Sequence, residues 1–215
     1  MYFESGNNIA VIKGPFLDYG APEEVLLKNF EYLDFPALTK LRHIGSQSFY
    51  RAEKIKIFEL PDSVQDIGVN AFDTVPGIII SELPSQLTTI GQNAFNDCRG
   101  LTSVDFNNAT LLDTIGIGAF YNCHNLTIPD ETLLYVKTIN KTAFYNCNNL
   151  ILNFSSDKGE SQLTEIGPQA FYNSAIGLSE LPPKLEILGA NCFAIDAEWQ
   201  DKMTMNFEYL PSTLT

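Results

Sequence analysis

The sequence lacks long hydrophobic runs and is poor in basic residues. Both features reduce the number of function classes that the protein could belong to. No apolar stretch approaches the roughly 18 residues of a membrane-spanning helix, so we expect no membrane span. The first residues lack the basic-then-apolar pattern of a signal peptide, which leaves the compartment open at this stage. Only 13 Lys and Arg stand against 26 Asp and Glu, a formal charge of −13. Nucleic acid is therefore a poor candidate partner, because binding phosphates needs clustered basic side chains.

Residues suited to catalysis or metal binding are also few, with two His and four Cys. His43 and His124 have no Ser or Cys partner in a nucleophile motif. The cysteines form no Cys-x-x-Cys pair of the zinc-binding kind. We therefore predict no catalytic residue, no metal and no cofactor, and a protein that is not an enzyme.

Apolar residues are abundant, and they follow an internal repeat. They make up 45% of the chain and include 15 Phe, enough for a packed core. A phrase of the form Ile-Gly-x-x-Ala-Phe occurs seven times, ending at Phe49, Phe72, Phe95, Phe120, Phe144, Phe171 and Phe193. Successive phrases are 23, 23, 25, 24, 27 and 22 residues apart. This period lies within the range of about 20–29 residues of leucine-rich repeats and is too short for helix-pair repeats.

The repeat predicts an α/β repeat solenoid, a leucine-rich-repeat right-handed coil. One face would carry a parallel β-sheet and the other short strands or helical turns. A single coil cannot bury its apolar side, but stacked coils share one core. The phrase glycines would permit either an unusual backbone conformation or a close approach between coils. We expect a buried aromatic ladder formed by Phe72, Phe95, Phe120, Phe144 and Phe171.

The phrase, extended to Ile-Gly-x-x-Ala-Phe-x-x-Cys, resembles the BspA-like leucine-rich repeats of bacterial surface antigens. The resemblance runs from about Phe30 to the end and is clearest over 90–101, 115–126 and 139–150. The departures are Ser48 for Ala, Asn140 for Gly, and a seventh copy that reads Leu-Gly-Ala-Asn-Cys-Phe, and the coil is expected to deform there. The family implies a secreted or cell-surface protein, from a bacterium or a mucosal protist, that binds host or neighbouring-cell molecules without catalysis.

The chain divides into residues 1–29 and an array of about seven repeats over 30–215. Residues 21–30 have Pro and acids placed for a helix start, so the first segment is either a cap or a degenerate repeat. The last six residues match the opening of another repeat, Leu83 to Thr88. We expect a truncated last repeat, whose uncapped coil would permit end-to-end self-association.

Candidate binding residues lie on the strand after each phrase. We expect Ile55, Phe58 and Leu60 to face inward and Ile57, like Ile80 in the next coil, to face outward. The outward positions then include an acidic column, which would suit a basic partner or a cation. The candidate partner-binding residues are Glu59, Glu82, Asp105, Asn153 and Glu180.

Two further columns recur. Tyr follows the phrase Phe at Tyr50, Tyr121, Tyr145 and Tyr172, which fits either an interface row or packing between coils. Cys98, Cys123 and Cys147 share one repeat position, where parallel side chains make disulfide geometry poor, so buried free thiols are expected.

These patterns favour a non-enzymatic interaction module. The family resemblance further implies that it is secreted or on the cell surface and binds a host or neighbouring-cell protein or glycan in an adhesin-like role. The alternative is a structural spacer that holds another domain away from the cell.

Overall fold

The structure is a computed structural model. It describes residues 11–12, 32–33, 38–129, 133–152, 154, 160–174 and 180–196. These residues contain eleven strands of two or three residues each. In chain order the strands are β1 (Val11–Ile12), β2 (Tyr32–Leu33), β3 (His43–Ile44), β4 (Lys56–Phe58), β5 (Asp66–Ile67), β6 (Ile78–Ile79), β7 (Thr89–Ile90), β8 (Thr114–Ile115), β9 (Thr138–Ile139), β10 (Glu165–Ile166) and β11 (Ile187–Leu188).

The strands form two parallel sheets. The long sheet has the order β1-β3-β5-β7-β8-β9-β10-β11 and runs through the first residue of each phrase, which is Ile in six copies and Leu188 in the seventh. The short sheet has the order β2-β4-β6, and the isolated bridges Glu82–Asp105 and Ser103–Thr127 continue it. Buried side chains from both sheets belong to one hydrophobic core. The fold is a parallel β-solenoid of about six turns, built from short coils as the period predicts.

The α/β part of the predicted fold class is not confirmed. The described part of the chain consists of strands and turns and contains no α-helix. None of its residues belongs to a helix long and apolar enough to cross a bilayer. The residues proposed for a helix start, 21–30, and the truncated last repeat lie outside the described residues. Strand β1, which belongs to the segment 1–29, pairs in parallel with β3, and Val11 lies opposite His43.

The turn after each long-sheet strand explains why this part of the coil is not helical. Residues with φ of 51–59° stand two positions before and two positions after the phrase Phe. The column before it is Gln47, Asn70, Asn93, Gly118, Thr142, Gln169 and Asn191, and the column after it is Arg51, Thr74, Asp97, Asn122, Asn146 and Asn173. Left-handed residues end a right-handed helix, and Asn tolerates this conformation better than most residues.

Backbone hydrogen bonds join neighbouring coils through these turns. The N–H groups of Gln47, Phe49 and Arg51 donate to carbonyl oxygens of the next coil, at 2.8 Å in each case. The same three positions donate in later coils, for example Phe95 to Ala119 at 2.8 Å. The turns are therefore bonded between coils, as the strands are.

The predicted aromatic ladder is confirmed, and it extends over all seven phrases. Adjacent rings stack with centroids 5.1–5.7 Å apart and interplanar angles of 1–14°. Phe193, the most exposed of the seven, is only 8% exposed. Phe106 adds an edge-on contact to Phe120, with centroids 5.4 Å apart.

Close approach, rather than an unusual conformation, explains the phrase glycines. A Cβ on Gly91 would lie 2.7 Å from the carbonyl carbon of Gly68 and 2.8 Å from the nitrogen of Val69, closer than van der Waals contact allows. At Asn140 the expected deformation is small. Its N–H lies 3.1 Å from the oxygen of Ile115, where the equivalent bond of Gly91 measures 2.8 Å. The Asn140 side-chain amide donates to the same Ile115 oxygen at 3.0 Å.

Candidate interaction surface

The orientation predicted for the short sheet is wrong at three residues. Phe58, expected to face inward, is 40% exposed, whereas Ile57 and Ile80, expected to face outward, are 0% and 2% exposed. The strict alternation of a strand ends at Glu59, whose φ is 60°. One left-handed residue lets Ile57 and Leu60, three positions apart, both point into the core.

The structure places the candidate acids Glu59, Glu82 and Asp105 along the short sheet. Glu82 is exposed and pairs in register with the half-buried Asp105 of the next coil. Phe58 of β4 lies opposite Ile79 of β6, and continuing this register would place Glu59 opposite Ile80. Glu82 is two residues further along its coil, so it does not lie opposite Glu59. Only two of the three acids are therefore direct neighbours.

Backbone N–H groups bind two of these carboxylates. Both carboxylate oxygens of Glu59 accept the N–H of Ser81, at 3.0 Å each. Asp105 Oδ1 accepts the N–H of Asn107 at 2.7 Å. The charges of Glu59 and Asp105 are thus held in place at the edge of the short sheet. Glu180 is exposed in a later coil, and Asn153 lies outside the described residues.

The short sheet also exposes large apolar side chains, and the sequence reasoning missed two of them, Phe58 and Ile79, while correctly placing Ile151 outward. Phe58 and Ile79 lie opposite each other on β4 and β6 and are 40% and 45% exposed. Ile151, at the corresponding part of a later coil, is 46% exposed. The sequence contained a signal for the exposure of Ile79, because Ile78, Ile79 and Ile80 are three consecutive apolar residues. In a strand, the middle residue of three faces away from its two neighbours, so an apolar side chain must be exposed.

Three of the four row tyrosines stack on one another. Tyr121, Tyr145 and Tyr172 have centroids 4.8 Å apart and interplanar angles of 5–8°, so the packing interpretation holds for them. Desolvation, followed by the charges of Tyr121 and Asp196, raises the pKa of Tyr145. Tyr50 stands apart from this stack, and the guanidinium of Arg51 lies 5.1 Å from its ring centroid.

Asp196 binds the end of the tyrosine stack. Its carboxylate accepts the hydroxyl of Tyr172 at 2.6 Å and the side-chain amide of Asn173 at 2.7 Å, and its N–H donates to Asn173 Oδ1 at 2.7 Å. The hydrogen bonds from Asn173 and Tyr172 lower the pKa of Asp196. The carboxylate thereby links two coils at this edge of the solenoid.

The cysteines are free and buried, and their environment opposes reactivity. The thiols of Cys98, Cys123 and Cys147 donate to the carbonyl oxygens of Phe72, Phe95 and Phe120 in the preceding coils, at 3.0–3.1 Å. Burial raises the pKa of Cys123 to about 12. Since the thiolate is the reactive form, these side chains act as packing groups.

The two histidines have structural partners. His43 Nδ1 lies 2.7 Å from Asp66 Oδ2 in the neighbouring coil, and His124 Nδ1 lies 2.7 Å from Asn148 Oδ1. Within the described ranges, no three His, Cys, Asp or Glu residues are arranged to hold a metal ion.

A stacked parallel solenoid with a repeated Ile-Gly-x-x-Ala-Phe turn is a leucine-rich-repeat architecture. The protein-family model described as BspA type leucine rich repeat region matches this sequence in six copies, over residues 26–151 and 124–209. The chain belongs to this family. Such repeats are typical of protein-interaction modules. No curated protein matches the chain.

Among solved structures the chain is similar to a leucine-rich repeat protein from Bacteroides ovatus. The two share 23% sequence identity with a TM-score of 0.48, and the match covers 70% of this chain. This chain spans 43% of the length of that protein.

Proposed function

We propose that this chain is a non-enzymatic interaction module, secreted or displayed on a cell surface, with an adhesin-like role. Its partner is a protein or glycan of the host or of a neighbouring cell. The observation that supports this proposal is the distribution of outward-facing charged and apolar side chains over several coils of one continuous core. Solenoids use such extended surfaces for binding.

The acids of the short sheet indicate a basic partner. Like charges on adjacent strands destabilise a sheet, and Glu82 and Asp105 are such a pair. A positively charged partner would relieve this repulsion, and the formal charge of −13 would steer it toward the surface. Glu59 lies on the same sheet, and the exposed Glu180 of a later coil is part of the same proposed surface. Asn153, outside the described residues, stays a candidate on sequence grounds.

A binding screen tests the proposal. The chain is immobilised and exposed to purified matrix proteins and glycans, and each hit is measured again with Glu59→Gln, Glu82→Gln and Asp105→Asn combined. We expect at least one saturable interaction, with weaker binding and a weaker salt dependence in the triple variant. Matched substitutions of exposed acids on the long-sheet side, Asp113→Asn and Glu186→Gln, serve as the control. The absence of any saturable interaction would contradict the proposed function, and unchanged binding by the triple variant would contradict the acidic site.

Labelling tests the proposed location. Antibodies raised against the chain are applied to intact and to permeabilised producing cells, and the culture medium is assayed in parallel. We expect labelling of intact cells or release into the medium. Labelling that requires permeabilisation, without release, would contradict a surface or secreted role.

A structural spacer is the second candidate, and the unbroken ring stack from Phe49 to Phe193 favours it. Its six centroid-to-centroid steps, each of 5.1–5.7 Å, form one continuous unit. In a spacer the coil number matters and the surface residues do not. Binding by the whole protein should then depend on the number of coils and be unaffected by the triple acid variant.

A further inference from the structure

The short sheet places an apolar pair beside an acidic pair. Phe58 and Ile79 lie opposite each other and are each at least 40% exposed, whereas single exposed apolar residues scattered over a surface are common. Glu82 lies three residues beyond Ile79 on the same coil and pairs with Asp105 on the next. The backbone bends at Ser81, so Ile79 and Glu82 lie closer than the roughly 10 Å that three extended residues would span. A ligand on this face would therefore meet apolar contacts and negative charge within that distance.

Charge complementarity decides which kind of ligand fits. A second copy of this chain carries the same formal charge of −13 and is repelled, and so is an anionic membrane. The carboxylates of Glu59 and Asp105 are held by backbone N–H groups and present negative charge without further rearrangement. Phe58 offers a ring and Ile79 an aliphatic surface, and both pack well against apolar side chains of a peptide. A peptide can also carry the Lys or Arg that the carboxylates attract, whereas a neutral or acidic glycan has no positive charge to pair with them.

We propose that the short sheet docks an extended protein segment that carries both apolar and basic side chains. Its apolar side chains cover Phe58 and Ile79, and Lys or Arg side chains within about 10 Å of them pair with Glu82 and Asp105. This inference rests on the proposed function and narrows the partner from a protein or glycan to a basic, apolar-containing protein segment.

Synthetic peptides test this docking directly. Three fluorescent peptides of equal length alternate Val with Lys, Ser with Lys, and Val with Glu, and their binding to the full chain is measured by fluorescence anisotropy at about 0.15 M salt. We expect the Val/Lys peptide to bind at least about tenfold more tightly than the Ser/Lys peptide, and the Val/Glu peptide not to bind. Equal affinities for the Val/Lys and Ser/Lys peptides would overturn the apolar part of the proposal.

Variants then locate the site. Phe58→Thr combined with Ile79→Thr should weaken binding of the Val/Lys peptide by at least about tenfold, since a few buried apolar contacts carry most of the binding energy of an interface. Val69→Thr, which changes a similarly exposed apolar residue beside the long sheet, is the matched control and should leave the affinity unchanged. Equal affinity in the double variant and the control would show that the peptide binds elsewhere.

A charge variant keeps the test decisive if the double variant fails to fold. Glu82→Gln with Asp105→Asn should weaken binding of the Val/Lys peptide and reduce its salt dependence, and no change in either would overturn the proposal. A natural partner that binds the chain but ignores both sets of variants would refute this inference while leaving the interaction module intact.

Discussion

The long sheet and the short sheet are built from the same coils, yet only the long sheet keeps a constant register. Partners in the long sheet stand at the same distance from their phrase Phe, as His43 (49 − 43 = 6) and Asp66 (72 − 66 = 6) do. In the short sheet Ile57 stands eight residues after its Phe (57 − 49), and its partner Ile78 stands six after (78 − 72). The short sheet therefore absorbs differences between coils that the long sheet excludes.

The difference has a physical cause. Beside the long sheet, the stacked rings, the close approach at the phrase glycines and the hydrogen bonds through the turns all fix the same spacing. In the short sheet a side chain replaces part of the backbone ladder, where the carboxylate of Glu59 accepts the N–H of Ser81. We infer that stability is concentrated beside the long sheet, which leaves the short sheet free to vary for binding.

The largest expected effect comes from breaking the ring ladder. Phe120→Ala should lower the free energy of unfolding by about 3–5 kcal/mol, because the ring is fully buried and stacks on Phe95 and Phe144. Chemical denaturation followed by circular dichroism measures the change. Leu111→Ser, at a residue 52% exposed, is the control and should shift it by about 0.5 kcal/mol or less. Similar losses in both variants would mean that the ladder does not hold the solenoid together.

The contrast between Gly91 and Asn140 tests how strictly the coil spacing is fixed. Gly91→Ala should cost about 1–3 kcal/mol, because its Cβ would press on backbone atoms of Gly68 and Val69 that cannot rotate away. Asn140→Gly should change stability by no more than about 1.5 kcal/mol, the contribution of the amide hydrogen bond to Ile115 that it removes. Urea unfolding of both variants compares the two coils. Equal costs would indicate that close approach does not limit the spacing.

The sequence predicted the features that repeat in every coil. Equivalent residues stack in a solenoid, so the spacing of Phe72 and Phe95 was enough to predict a buried ladder. For Gly91 the sequence left an unusual conformation and a close approach open, and the structure shows the close approach. The side chains of Cys98 and Cys123 were correctly predicted to be buried for the same reason.

Features without a constant residue type were not predictable. The left-handed turn positions carry residues as different as Arg51, Thr74 and Asn122, since each N–H bonds to the next coil whatever the side chain. The wrong orientation of Phe58 arose in the same way, because nothing in the sequence marks Glu59 as left-handed. No α-helix forms in the described residues because left-handed residues interrupt each turn, although hydrogen bonds such as that from the Ala52 N–H to the oxygen of Phe49 do form within a coil.

A smaller effect should appear at alkaline pH, through the thiols beside the ring ladder. Burial raises the pKa of Cys123 to about 12, from 9.0 for an unperturbed thiol. The fold favours the neutral thiol, so its contribution is fully present below pH 9 and is lost as the pH rises from there toward about 12. Urea midpoints measured between pH 8 and about 11 should fall.

A serine variant separates the thiols from other groups that titrate at alkaline pH. Ser174 occupies the same repeat position as the cysteines, and its hydroxyl donates to the oxygen of Phe144 at 2.7 Å, so serine fits there. Cys98→Ser, Cys123→Ser and Cys147→Ser combined should therefore fold and lose less stability over this pH range. A decline identical to that of the parent protein would show that the thiols do not cause it.

The smallest expected effect lies at the edge of the solenoid, where Asp196 joins two coils. Hydrogen bonds from Asn173 and Tyr172 lower the pKa of this carboxyl, so its stabilising contribution is present above the unfolded pKa of about 3.9 and is lost as the pH falls through the lower folded value. Asp196→Asn should lower the Tm slightly at neutral pH, and the difference from the parent protein should vanish in strong acid. Thermal melts from pH 7 down to about 2 measure this convergence. Asp113→Asn is the control, since the carboxylate of this exposed acid lies 3.6 Å from Lys137 Nζ and accepts the Thr114 hydroxyl at 3.1 Å. A Tm difference for Asp196→Asn that persists unchanged in acid would mean that lost packing, and not the charged hydrogen bonds, accounts for the effect.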